Sequence, residues 1–182
     1  KFLPHFHIPL QSGSNQILKA MRRRYRIDLF AERIKTIKSI FPDAGIGVDV
    51  IVGFPGESDN DFQQTYDFLE TMDVSYLHVF SYSERNHTDA VNISPKVRSE
   101  IIMKRSQILH SLSREKKNKF CQQNIGSVRN VLIESCQEGI LSGLTENYLR
   151  VQTGGIPEEV NTIIPLQVLQ INGDEMIGQR IN

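Results

Sequence analysis

The 182 residues suffice for one good core, or one core with a small appendage. Lys and Arg number 21 and so do Asp and Glu, a formal net charge of zero that excludes a strongly basic nucleic-acid arm but not a local basic surface. The charge is unevenly spread: residues 1–120 carry 18 basic and 14 acidic side chains, residues 121–182 three and seven, which marks a domain boundary. Cys121 and Cys136 are the only cysteines, too few for a disulfide framework and not in metal-ligand spacing, as expected of ordinary thiols in a reduced cytoplasm. No stretch approaches the ~18 apolar residues of a membrane span. The chain starts without Met and directly in a strand-like run, so it is expected to be the carboxy-terminal part of a longer protein.

In chain order, residues 3–10 read as a strand, followed by the polar turn Gln11-Ser12-Gly13-Ser14. Ser14 is placed to cap a short helix, and Asp28 to cap a longer one in which Leu29, Phe30, Ile34, Ile37 and Phe41 recur at helical spacing. Gly47 to Val52 is a nearly continuous β-branched run, the pattern of a strand buried on both faces of a parallel sheet. Ser58 with Asp61 predicts a capping box for a helix through Met72. A third strand spans Tyr76–Tyr82, and Ser94-Pro95 predicts the start of a long helix to about Phe120. Alternating strands and helices mean βαβ units and a parallel sheet. From Gln122 onward, five short alternating stretches between glycines predict a small β-barrel, giving domains 1–121 and 122–182.

Strand alternation puts His5, His7, Pro9 and Gln11 on one face, and His78, Phe80 and Tyr82 on one face of the third strand. Such polar faces, near the carboxy ends of parallel strands, are where barrels bind ligands. His5 and His7 are either hydrogen-bonded interior histidines or two ligands of a metal that lacks a visible third. The glycines of Gly53-Phe54-Pro55-Gly56-Glu57 either admit a ligand close to the backbone or make a tight turn with Glu57 at a helix dipole. Arg22, Arg23, Arg24 and Arg26 around Tyr25 suit phosphate contacts and base stacking, or else form a solvated helix end. The long helix has a basic excess that reads as an RNA-facing side or as solubilising charge.

His7-Ile8-Pro9-Leu10-Gln11-Ser12-Gly13-Ser14, Met21 to Tyr25, and Asp49 to Glu57 together resemble the radical SAM methylthiotransferases. Leu77 to Arg85, with Thr88 and Ala90, resembles the branch acting on threonylcarbamoyladenosine in tRNA. The resemblance implies the last three strands of a partial parallel barrel and a TRAM-type, OB-like β-barrel tail. It implies S-adenosylmethionine (SAM) and two 4Fe-4S clusters as cofactors, the cluster cysteines lying upstream of Lys1, so that this chain alone is inactive. Gln11, Ser12, Asp49, Gly53, Glu57, Phe80 and Tyr82 would line the SAM pocket; Arg22, Arg23, Arg24, Arg26 and Arg85 would face RNA. The implied reaction is methylthiolation at carbon 2 of the modified adenosine beside the anticodon, with the tRNA anticodon stem-loop and an electron donor as partners and no membrane. Alternatives within the family are isopentenyladenosine tRNA or a ribosomal-protein aspartate; outside it, a different radical SAM enzyme or a non-catalytic RNA-binding module. The acidic tail argues against a polyanion partner for that part of the chain.

Overall fold

The computed structural model describes residues 3–84 and 88–181, so Arg85 lies outside the described residues. The chain is an α/β protein with one three-stranded parallel sheet and one closed five-stranded barrel. It divides into two compact units, one formed by His7–Pro42 and Ile46–Lys116, the other by the residues up to Phe6, Asp43–Gly45 and Lys117–Asn182.

The sheet comprises β1 (His5–Gln11), β2 (Gly45–Val52) and β3 (Tyr76–Ser81), with β2 in the middle. β2 runs parallel to β3, in a register that sets Asp49 opposite His78 and Ile51 opposite Phe80. The prediction of a strand buried on both faces is corrected here. Val48, Val50 and Val52 are fully buried, whereas Asp49 and Ile51, on the other face, are half-exposed. The apolar run conceals a true alternation, because its second face carries Gly47, Asp49 and a partly exposed Ile51 rather than a row of buried packing groups. Leu10, Leu77, Phe30, Ile34, Phe62, Leu69, Leu109 and Leu112 are among the other buried residues of this unit.

Helices α1 (Asn15–Ala20), α2 (Ile27–Ile40), α3 (Asp59–Thr71) and α4 (Ser99–Asn124) intervene between and after the strands. Ser14 caps α1, and Ser58 with Asp61 forms the expected capping box on α3. Asp28 does not cap α2: the cap position is Arg26, and the Ile27 N–H donates to Asn15 Oδ1, which satisfies an amino-terminal donor from outside the helix. Nor does α4 begin at Ser94-Pro95. A short 3-10 helix (Asp89–Asn92) comes first, and the Pro95 carbonyl accepts the Gly56 N–H at 2.8 Å, so this segment closes the turn after β2 instead of opening a helix.

The barrel is built from β4 (Val128–Gln137), β5 (Ile140–Thr145), β6 (Arg150–Gly154), β7 (Ile163–Asn172) and β8 (Glu175–Arg180) in the closed order β4-β5-β6-β8-β7. Only β6 and β8 pair parallel; the other neighbours are antiparallel. Val131, Ile133, Leu141, Val151, Leu166, Val168 and Met176 fill its interior with no exposed surface, joined by Phe120 and Cys121 from the end of α4. Within the same unit, fully buried Asn147 donates through Nδ2 to the Asp43 carbonyl (2.9 Å) and Asn124 Oδ1 (3.0 Å), while its Oδ1 lies 2.7 Å from the Thr145 hydroxyl. Asn147→Ala should therefore cost about 2 kcal/mol, because buried partners are left without hydrogen bonds. Calorimetry of the barrel transition measures it, and an unchanged midpoint would count against the network.

Candidate functional site

The turn after β1 is a framework of hydroxyls. Ser12 and Ser14 are almost wholly buried, and Gln11 has a φ of 70°, the left-handed region. The Gly13 N–H donates to Thr65 Oγ1 at 3.0 Å and the Ser14 N–H to Ser12 Oγ at 3.1 Å. The Ser14 hydroxyl donates to Asp61 Oδ1 (2.7 Å), and the Ser58 hydroxyl and N–H both donate to Asp61 Oδ2 (2.5 and 3.0 Å). Burial opposes the Asp61 charge, but these donors outweigh it and hold the carboxyl below its ordinary 3.8. A depressed folded value stabilises above the unfolded one and is lost as pH falls through the folded one. Asp61→Asn should therefore lose stability at neutral pH and show a flatter decline below 3.8 than the parent, read by urea unfolding across acidic pH. Parallel profiles would remove Asp61 from the acid response.

The basic cluster is partly engaged with the rest of its own unit. Arg23 Nη2 donates to Gln11 Oε1 at 3.1 Å, and the Tyr25 hydroxyl lies 3.1 and 3.0 Å from the Pro9 and Leu10 carbonyl oxygens. These contacts tie the arginine-rich segment to the end of β1. Burial raises the Tyr25 phenol, with Arg23 pulling the other way. Arg22 pairs with Asp89 at 2.6 Å, and Arg26 lies 3.8 Å from Asp28. Arg23, Arg24 and Arg26 border a shallow pocket of about 360 Å³ with Lys19 and Tyr25.

The turn after β2 is likewise held from behind. Gly53 has a φ of 80°, and a Cβ there would lie 2.4 Å from the Ile102 side chain. Its N–H donates to Glu57 Oε2 at 2.8 Å. Arg105, on α4, donates through Nη1 to the same oxygen at 2.6 Å and through Nη2 to Asp59 Oδ1 at 2.6 Å. The Arg105 and Glu57 side chains are 5% and 1% exposed, so the Glu57 carboxylate points into the protein and braces the turn. Burial pushes its carboxyl above the ordinary value, against the pull of Gly53 and Arg105.

What the strands leave open is the second face of the sheet. His7 Nε2 and Asp49 Oδ1 are 2.5 Å apart, and the His7 and His78 rings stack at 4.8 Å, making one polar row across β1, β2 and β3. Below that row the Tyr76 ring packs over Gly47, where a Cβ would meet it at 2.5 Å, and touches His78 edge-on. Above it, toward the carboxy ends, Ile51 and half-exposed Phe80 lie opposite each other. Tyr82 packs edge-to-face on Phe54. Of the expected pocket residues, then, Asp49 and Phe80 share this open face and Gln11 ends the strand beside it. Ser12, Gly53 and Glu57 shape the turns behind, and Tyr82 sits just past β3. Sequence reasoning missed Arg105, and its signal was a charged residue inside the apolar stripe of α4 that includes Leu109 and Leu112.

Among the described residues no three His, Cys, Asp or Glu side chains converge to hold a metal; His5 stacks on Tyr148 at 4.1 Å and His7 faces Asp49. Asp49 Oδ2 has no hydrogen bond among the described residues, and a free carboxylate oxygen beside apolar Ile51 and Phe80 suits the hydroxyls and base of a nucleoside cofactor such as SAM. The residues do not fit an iron–sulfur cluster, since Cys121 is buried in the barrel core and Cys136 lies on β4.

Residues 2–69 match the radical SAM superfamily. The chain is 42% identical over 158 residues to a threonylcarbamoyladenosine tRNA methylthiotransferase MtaB of Aquifex aeolicus, covering 87% of this chain and 38% of the relative. It is 35% identical to the protein of the same name from Bacillus subtilis (93% and 39%). A tRNA-2-methylthio-N6-dimethylallyladenosine synthase of Helicobacter hepaticus is 37% identical (97% and 39%). The chain thus spans about two fifths of the length of these curated relatives. It is similar to the radical SAM superfamily over residues 2–69 and to tRNA methylthiotransferases over most of its own length.

Proposed function

We propose that this chain is part of a cytoplasmic tRNA methylthiotransferase that adds a methylthio group to carbon 2 of N6-threonylcarbamoyladenosine beside the anticodon. The observation that carries the reading is the open face of a parallel sheet, with the His7–Asp49–His78 row and, nearer the carboxy ends, Ile51 and Phe80, in a chain similar to the radical SAM superfamily. SAM and iron–sulfur clusters, supplied with electrons by a reducing donor, provide the radical and sulfur chemistry when bound. The residues of this chain do the rest of the work. Asp49 accepts hydrogen bonds from a nucleoside, Ile51 and Phe80 give its base an apolar bed, and the braced turns at Gln11–Ser14 and Gly53–Glu57 fix the walls. We assign contact with the anticodon stem-loop to Arg22, Arg23, Arg24 and Arg26 and, from the sequence alone, to Arg85. We read residues 1–121 as the last part of the radical SAM barrel and 122–182 as a TRAM-type, OB-like barrel. Among the described residues no helix is long and apolar enough to cross a membrane.

The test is disruption of the encoding gene followed by mass spectrometry of digested tRNA. The expected result is loss of the 2-methylthio form of N6-threonylcarbamoyladenosine, with its unmethylthiolated precursor accumulating. Unchanged nucleosides would overturn the reading. Loss of the methylthio form of dimethylallyladenosine instead would favour the second reading, which the likeness to the Helicobacter protein supports.

A further inference from the structure

A pocket of about 570 Å³, within the ~300–1,000 Å³ typical of small-molecule sites, lies among the three loops that follow β1, β2 and β3. Lys19 and Arg22 come from the end of α1 and the residues after it, Phe54 from the turn after β2, and Thr88, Asp89 and Ile93 from the segment after β3. Loops at the carboxy ends of parallel strands are where such folds carry specificity.

The lining has two characters. Met21, Phe54 and Ile93 are apolar, whereas Lys19 and Arg22 bring two positive charges against one carboxylate, Asp89. Lys19 has no ion pair among the described residues, and Arg22 gives only Nη1 to Asp89, at 2.6 Å, leaving other donors of its fork. Arg22 also holds a φ of 57°, a left-handed conformation that a non-glycine residue keeps only where its surroundings impose it. A net positive, partly apolar pocket suits a substituent that is itself part carbon and part carboxylate. The threonylcarbamoyl group is such a substituent, bearing a carboxylate, a hydroxyl and a methyl. A dimethylallyl group would match the apolar wall but give Lys19 and the remaining Arg22 donors no acceptor, which is how sites built for polar groups reject apolar analogues.

We infer that this pocket receives the N6 substituent of the modified adenosine and that Lys19 and Arg22 select for its carboxylate. The inference rests on the tRNA reading above. It is tested with two anticodon stem-loop RNAs, identical except for a threonylcarbamoyl or a dimethylallyl group on the modified adenosine, titrated against the protein by fluorescence anisotropy. The threonylcarbamoyl RNA should bind roughly tenfold tighter, the size of one charge-assisted hydrogen bond. Lys19→Gln with Arg22→Gln should bring the ratio to about one by weakening the threonylcarbamoyl RNA about tenfold more than the dimethylallyl RNA, and Lys19→Arg should keep the preference. A parent ratio near one, or a double variant that weakens both RNAs alike as lost phosphate contacts would, overturns the inference and leaves the tRNA reading standing. Failure to bind either RNA overturns both.

Discussion

Arg105→Met should destabilise the unit that holds the sheet by about 3–5 kcal/mol at neutral pH, because it leaves the Glu57 carboxylate buried without its cation. The two side chains are 5% and 1% exposed, so water cannot replace the lost partner, and the Asp59 contact at 2.6 Å goes with it. The pH dependence separates this cause from lost packing on Phe62, over which the guanidinium lies at 5.3 Å. Burial already holds the Glu57 carboxyl above its ordinary 4.5, and removing Arg105 raises it further. A group raised on folding contributes stability that is fully present below its unfolded value and lost as pH rises through the folded one. The deficit of the variant should therefore be largest near neutrality and shrink as pH approaches 4.5. Adding Glu57→Gln should recover part of the loss at neutral pH. Urea titrations at several pH values read both effects, and a deficit constant with pH would assign the loss to packing alone.

Much of this architecture is legible in the chain because it rests on local rules. The β-branched run at Gly47–Val52, the Ser58–Asp61 pair and the glycine-punctuated stretches after Gln122 each specify an element from residues within a few positions of one another. The errors come where a distant partner decides. Asn15 satisfies the first donor of α2 in place of a capping Asp28, and Gly56 takes the Pro95 carbonyl that a helix start would have needed. The central strand misled because a packed apolar face and an open face merge into one run when the second face is made of glycine, isoleucine and a single carboxylate.

The candidate site divides along the same line. Alternation alone set His7 and Gln11 on one face, and His78 and Phe80 on one face of β3. The pairing of His7 with Asp49, across 42 positions, needed the fold. Basic residues were the least legible, since charge density along the chain does not say what each charge meets. Arg105 braces a turn from the buried side, and Lys116 Nζ donates to the Met72 carbonyl at 2.7 Å, just past the end of α3. Both belong to the basic excess that, read linearly, could pass for an RNA-facing side.

Gly13→Val should cost about 3 kcal/mol, near the upper end of the overpacking range, and weaken SAM binding more than that loss alone implies. A Cβ on Gly13 would lie 2.6 Å from the Thr65 Cα and 3.3 Å from the Gln64 carbonyl oxygen, backbone atoms in the middle of α3 that no rotamer change can move aside. Relief requires the turn and the helix to separate. That separation breaks the Gly13–Thr65 hydrogen bond and pulls Ser14 from Asp61, the contacts that fix Gln11 and Ser12 at the end of β1. Thr65→Ala provides the comparison, since it removes the Oγ1 acceptor while leaving the close approach intact. It should lose about 1–2 kcal/mol, since the hydroxyl accepts from Gly13 and donates to the Asp61 carbonyl, and disturb SAM affinity far less. Thermal unfolding and calorimetric titration of the protein with SAM measure the two effects together. If Gly13→Val and Thr65→Ala weaken SAM to the same degree, the hydrogen bond governs the wall of the site. If valine at position 13 leaves affinity unchanged despite the lost stability, the turn after β1 does not border the cofactor.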